Sequence, residues 1–94
     1  MIGLTEAKRI VRDYLDKLEG DVGERLEIMD AETIERPFGW VFFYNSKEYL
    51  RTGQFGDMLA GNAPLIVDRD GGKLHVTGTA KSIEEYIAEH EAKL

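Results

Sequence analysis

The N-terminal part of the chain has the hydrophobic spacing of an amphipathic helix. Apolar residues recur at intervals of three and four between residues 5 and 19, with charged residues between them. The apolar positions are Ala7, Ile10, Val11, Tyr14, Leu15 and Leu18. Thr5 is a candidate cap for the start of this helix, and Gly20 is a candidate for its end. We therefore predict a helix that packs its apolar stripe on the core.

Apolar runs in the next segment predict strands. Residues 25–29 form a short strand, and residues 31–35 either extend it or begin another. Pro37 cannot donate a ladder hydrogen bond, so we expect a turn or bulge over residues 36–39. Residues 40–44 read Trp-Val-Phe-Phe-Tyr. This composition is typical of a central strand covered on both sides, or of a strand that exposes an aromatic face.

A long connection follows this strand. Residues 46–52 fit either a continued strand or one helical turn. Gly53, Gly56 and Gly61 then indicate irregular backbone with special torsion angles. Loops of this length often carry function.

A hairpin is predicted after the long connection. Pro64 opens a strand at residues 65–68, and the Asp-Gly sequence within residues 69–72 is typical of a hairpin turn. Residues 73–77 form the returning strand.

A second helix closes the pattern. Ser82 followed by Glu85 is a capping box, and the helix reaches about Ala92. Because no alternation of strand and helix demands parallel pairing, we predict the α+β class. The expected architecture is an antiparallel sheet of about four strands flanked by an N-terminal and a C-terminal helix. Residues 1–94 are expected to form a single domain.

Composition narrows the classes of function. Of the 94 residues, 43% are hydrophobic and none is cysteine, so neither a disulfide framework nor a thiolate metal site can form. A net charge of −6 disfavours binding to nucleic acid. No signal peptide or membrane-spanning run is visible, so we expect a cytoplasmic protein that does not insert into a membrane.

A search for reactive residues finds no catalytic motif. His75 and His90 have no partner at the spacing of a local metal site, and surface or partly packed histidines are the better interpretation. Asp68 and Asp70 lack the oxygen ligands of a calcium loop and are explained by the hairpin turn. The glycines do not follow a phosphate-binding pattern. We therefore predict no catalytic residue, metal or cofactor.

Side chains of the central strand divide into two faces by the period of two. Trp40, Phe42 and Tyr44 share one face, and Val41 and Phe43 share the other. Either both faces are buried by the helices and the long loop, or the aromatic face is a binding patch.

Four segments resemble, in order and spacing, the YrhB-like immunity proteins, the thirty-fifth immunity family of bacterial polymorphic toxin systems. They are residues 38–46, 59–68, 78–79 and 82–87. The most specific piece is the Gly-Asn-Ala-Pro stretch at residues 61–64, supported by Gly-Trp-Val-Phe-Phe-Tyr upstream. With the leading helix, the resemblance covers nearly all of the chain.

The resemblance implies a cytoplasmic protein, made beside a toxin, that binds the toxin domain and blocks it. Toxins of papain-like peptidase type are among the usual neighbours of this family. It implies no catalytic residue. It also brings an alternative, because YrhB is described as a small heat-stable protein with chaperone-like behaviour.

For a toxin-binding surface, we predict contacts from the aromatic strand face, if it is open, and from the long loop. The candidates are Trp40, Phe42, Tyr44, Phe55, Asp57, Met58 and Asn62. Asn62 has a second interpretation, as a turn residue that satisfies nearby backbone.

Two alternative functions stay open beside the immunity function. A holdase would bind unfolded chains through exposed apolar surface. A small-molecule domain would need a closed apolar pocket behind the Trp40 strand. An edge strand can also pair two copies of the chain into a homodimer.

Overall fold

Helices occupy both ends of the chain, with two short sheets between them. The computed structural model describes residues 1–54, 56, 58–59 and 62–94. The helices are α1 (Leu4–Val22), α2 (Lys47–Thr52) and α3 (Ile83–Ala92), and a 3₁₀ turn covers Asp30–Glu32. None of the helices in this part of the chain combines the length and apolar character required to cross a membrane.

The strands of the fold are all antiparallel. A four-stranded sheet has the order β2 (Ile34–Arg36), β3 (Gly39–Phe42), β5 (Leu65–Asp68), β6 (Leu74–Val76). A two-stranded sheet pairs β1 (Leu26–Ile28) with β4 (Tyr44–Ser46). The predicted α+β class, with a four-stranded sheet and a helix from each end of the chain, is confirmed.

The predicted first helix is present, but both of its predicted caps are wrong. It begins after Gly3, whose carbonyl accepts from the Ala7 N–H, so Thr5 lies inside the first turn. Gly20 remains helical because a glycine in a last turn costs only about 1 kcal/mol relative to alanine. Gly23, at φ +74°, supplies the left-handed turn and donates its N–H to the Glu19 carbonyl.

The predicted central strand is divided between the two sheets. Strand β3 ends at Phe42, and Tyr44 begins β4. Between them, the Phe43 carbonyl accepts a hydrogen bond of 2.8 Å from the Met29 N–H. The chain therefore changes pairing partner at Phe43, from β5 to β1.

Both faces of β3 are buried, as one of the two sequence interpretations held. Trp40 and Phe42 pack with α1, whose Ala7, Val11 and Leu15 are fully buried. Val41 packs on the opposite face with Ile66 of β5 and Ile87 of α3. The two helices therefore cover opposite sides of the central strands.

Capping side chains start the two shorter helices. In the ambiguous segment 46–52, Ser46 ends β4 and residues 47–52 are helical, and the Ser46 hydroxyl caps this helix by accepting from the Tyr49 N–H at 3.0 Å. The Ser82 hydroxyl likewise accepts from the Glu85 N–H, which confirms the predicted start of α3. The hairpin turn between β5 and β6 is also as predicted, with Gly71 and Gly72 at positive φ.

Candidate functional site

The aromatic residues that sequence analysis offered as contacts lie inside the protein. Trp40 is 2% exposed, Phe42 is fully buried and Tyr44 is 6% exposed. The Arg69 guanidinium lies 4.5 Å from the centroid of the Trp40 ring. Burial also raises the pKa of the Tyr44 hydroxyl above its ordinary value. The open aromatic face that a docking role requires is therefore not present, and these side chains belong to the core.

The long loop carries the other predicted contacts. Phe55 and Asp57 lie outside the described residues. The Met58 side chain is 40% exposed, and Asn62 is half-buried. Both Met58 and Asn62 remain predicted contacts.

Two asparagines connect this loop to β4. The Asn45 side chain is buried, and its Oδ1 accepts from the Ser46 N–H at 2.7 Å and the Leu59 N–H at 2.8 Å. The Asn62 Nδ2 donates to the Tyr44 carbonyl at 2.5 Å. Asn62 thus satisfies a backbone carbonyl, as its alternative interpretation held, but on a strand 18 residues away and not within its own turn. These bonds hold the loop at two points on a strand of the scaffold.

A cluster of ionisable side chains lies between the hairpin and α3. Asp68 ends β5, His75 is in the middle of β6, and His90 is in the last part of α3. The Nε2 atom of His75 is 2.7 Å from Asp68 Oδ2, and the Nε2 atom of His90 is 2.7 Å from Asp68 Oδ1. The two imidazole rings meet edge to face, with centroids 4.7 Å apart. One carboxylate therefore links two histidines from different elements.

The protonation of this cluster follows from its contacts. Partial burial raises the pKa of Asp68, but the hydrogen bonds to His75 and His90 outweigh burial and leave its pKa below the ordinary value. An ionised carboxylate can only accept hydrogen bonds, so each Nε2 carries a hydrogen and donates it. The side chains of Asp68, His75 and His90 are 17%, 32% and 11% exposed, so the cluster is only partly accessible to solvent.

Solvent reaches the cluster through a neighbouring depression. A surface pocket of about 260 Å³ is lined by Asp68 together with Pro37, Phe38 and Leu94, among others. The Phe38 ring also contacts the His90 ring, with centroids 4.9 Å apart. A small ion or ligand can therefore approach Asp68 from outside.

The residues of this cluster each offer one ligand atom for a metal ion, and those atoms lie within 4.8 Å of one another. Local spacing could not reveal the group, because its members are far apart in sequence. The register of the predicted hairpin was a usable signal. Since Ile66 pairs with His75, and Asp68 follows Ile66 by two residues, His75 and Asp68 must share a face.

Comparison with known proteins places the chain in a family. The family model described as immunity protein 35 matches residues 5–89. The chain belongs to this family. This match confirms the family resemblance that sequence analysis based on the strand segments and the Gly-Asn-Ala-Pro stretch.

The chain is also similar to a curated protein, the "Uncharacterized protein YrhB" of Escherichia coli (strain K12). It is 49% identical over 55 residues, which are 58% of this chain and 58% of that protein. The aligned region thus spans little more than half of the relative. No solved structure matches the chain.

Proposed function

We propose that this protein is an immunity protein that binds a cognate bacterial toxin in the cytoplasm and neutralises it by steric occlusion. The observation that carries this proposal is the match of residues 5–89 to the immunity protein 35 family. The toxin class we propose is a papain-like peptidase. The immunity protein itself acts without catalysis, through the shape and charge of its surface.

The fold supports such a role because it is a preorganised scaffold. Strand β3 is buried on both faces, and the side chains that bury it come from helices at both ends of the chain. A rigid inhibitor loses little conformational entropy on binding, and more of its contact energy therefore appears as affinity.

Size is also sufficient for tight binding. The solvent-accessible surface measures 5810 Å². A standard interface buries about 800 Å² on each partner, which is roughly one seventh of this surface. One patch on one side of the molecule is therefore enough to cover an active site.

The charge of the protein favours a basic partner. A net charge of −6 creates a negative field that accelerates encounter with a positively charged surface. We expect the association rate with the toxin to fall as ionic strength rises, because salt screens this attraction.

The long loop is our proposed contact surface. Met58 exposes an apolar side chain, and adaptable thioether side chains are common at binding surfaces. Asn62 holds the loop to the Tyr44 carbonyl and so positions it. Leu59, the neighbour of Met58, packs against the core cluster that contains the buried aromatic residues of β3 and β4.

The decisive experiment pairs this protein with the toxin-like domain encoded beside its gene. The expected outcomes are a 1:1 complex in calorimetry and loss of the toxin's activity in vitro and in co-expressing cells. An unrelated toxin domain serves as the control and should neither bind nor be inhibited. Non-selective protection of aggregating proteins without such a complex would instead favour the holdase, and stoichiometric uptake of an organic ligand would favour the small-molecule domain.

A variant pair tests the proposed contact. Met58→Asp places a charge at the exposed loop position and should raise Kd for the toxin at least about tenfold, the effect typical of an interface anchor. Leu4→Asp is the matched control, since Leu4 is 47% exposed at the start of α1 and an acidic residue suits a first helical turn. Equal Kd values for the two variants would remove the loop from the interface.

A further inference from the structure

The side chains of Asp68, His75 and His90 form a cluster of potential metal ligands that the proposed function does not use. Two imidazoles and one carboxylate are the three protein ligands of many zinc sites, in which water or substrate takes the fourth position. The three candidate ligand atoms come from β5, β6 and α3. No one of these elements could supply the set alone.

The distances are close to those that a bound ion requires. Zinc lies about 2.0–2.1 Å from imidazole nitrogen and about 2.0–2.2 Å from carboxylate oxygen, which separates ligands of a tetrahedron by about 3.4 Å. The ligand atoms here lie within 4.8 Å of one another, and each Nε2 is 2.7 Å from an Asp68 oxygen. The two Nε2–oxygen distances are shorter than the tetrahedral separation, so the imidazole rings must move away from Asp68 to admit an ion.

The backbone positions of the ligands are determined by packing. The Asp68 N–H donates to the Lys73 carbonyl at 2.9 Å, and His75 pairs with Ile66 across the hairpin. His90 lies one helical turn beyond the buried Ile87, and its ring contacts Phe38. A site whose ligands are held in this way loses little entropy when the ion binds.

Protonation is compatible with metal binding. A neutral imidazole can move its hydrogen from Nε2 to Nδ1. Each Nε2 lone pair then faces the ion in place of a hydrogen bond to Asp68. A neutral ring keeps its single hydrogen in this exchange, so the charge of the two rings does not change.

We propose that Asp68, His75 and His90 bind one divalent transition-metal ion of the zinc class. Carboxylate oxygen and two imidazole nitrogens form a harder donor set than thiolates and suit Zn²⁺, Co²⁺ and Ni²⁺. The pocket beside Asp68 gives solvent access to the carboxylate of this donor set. The bound ion would join α3 to the hairpin, and this proposal stands independently of the toxin partner.

Calorimetry with Zn²⁺ is the primary test. The full chain, without a histidine tag and previously dialysed against a chelator, should bind one Zn²⁺ per molecule. Co²⁺ should give the intense visible absorption of a four- or five-coordinate site, which distinguishes it from ions held loosely on the surface. Zn²⁺ should also raise the unfolding temperature, because it binds the folded chain.

Matched variants assign the ligands. Asp68→Asn and His75→Gln should each raise Kd for Zn²⁺ by more than about 100-fold, since loss of a mere supporting group already costs about 10–100-fold. Asp70→Asn removes the same charge from an exposed residue of the same hairpin and should leave Kd unchanged. Circular dichroism verifies that each variant is folded, and His75→Gln is the less disruptive because that side chain is the most exposed of the three.

Three outcomes would overturn the proposal. They are the absence of 1:1 binding at millimolar Zn²⁺, a Co²⁺ spectrum that remains that of the hydrated ion, and equal Kd values for Asp70→Asn and Asp68→Asn. In any of these cases the cluster is a hydrogen-bonded clamp between α3 and the hairpin.

Discussion

Substitution of Gly39 by alanine should destabilise the fold far more than its size suggests. Gly39 has φ +151° and pairs with Asp68 in the ladder between β3 and β5. A Cβ atom at this position would lie 2.0 Å from the Val67 carbonyl oxygen and 2.8 Å from the Arg69 nitrogen. Both neighbours are backbone atoms, so they cannot rotate away and the two strands must separate.

The expected loss has two parts. A non-glycine residue in such a backbone conformation costs about 1–3 kcal/mol. Separation of the strands weakens one or two hydrogen bonds, each worth about 0.5–1.5 kcal/mol, and the Arg69 N–H bond to the Phe38 carbonyl is the nearest. We therefore expect Gly39→Ala to lower the free energy of unfolding by about 1.5–6 kcal/mol. Domains of this length have about 5–14 kcal/mol in total.

Urea unfolding followed by circular dichroism measures this loss, with Gly71→Ala as the control. Gly71 also has positive φ, at +85°, but a Cβ atom there would meet nothing within 4 Å. Gly71→Ala should therefore lose only the conformational part, about 1–2 kcal/mol. If the two variants differ by less than about 0.5 kcal/mol, the close approach of β3 to β5 is not what requires glycine.

Two further predictions concern the core and the last helix. Leu15→Ala should lower the free energy of unfolding by about 2–5 kcal/mol, because Leu15 is fully buried against the sheet. Leu4→Ala, at a 47% exposed position, should change it by less than about 0.5 kcal/mol. Similar losses for the two variants in urea unfolding would contradict the packing of α1. Ser82→Ala should lower the free energy of unfolding by about 0.5–2 kcal/mol, because the Glu85 N–H loses its acceptor. Ser82→Asp keeps an acceptor and should leave the free energy of unfolding nearly unchanged. Equal losses of unfolding free energy in the two variants would show that the cap does not stabilise α3.

The elements with strong local signals could be predicted from sequence. Helix α1 follows from its apolar spacing, the β5–β6 hairpin from its Asp-Gly turn, and α3 from the Ser82 cap. Each signal acts within a few residues, so the rest of the fold cannot change it much. The predicted C-terminal end of α1 was wrong because Gly20 and Gly23 are both suitable terminators, and only the backbone conformation distinguishes them.

Features that depend on distant partners could not be predicted in this way. The run of residues 40–44 is continuous in sequence, and its division at Phe43 arises because Met29 supplies a new hydrogen-bond donor. Burial of Trp40 and Phe42 likewise depends on where α1 lies. The sequence left both possibilities open for that face, and only tertiary packing decides between them.

The candidate metal ligands show the same limit. Hairpin register places Asp68 and His75 on one face, so that pair was within reach of sequence reasoning. The position of His90 depends on how α3 lies on the sheet, which no short-range pattern specifies. The role of the loop residues Met58 and Asn62 could not be predicted for a different reason. It depends on the shape of the binding partner.

The two helices that cover the sheet are unequal, and this gives the molecule a weaker side. Helix α1 has 19 residues and buries three of them completely, whereas α3 has ten residues and buries only Ile87. Transient detachment of α3 should therefore require less free energy than detachment of α1. Such an opening would expose Val41 and Ile66. Proteolytic removal of part of α3 would therefore leave an exposed apolar sheet face that promotes aggregation.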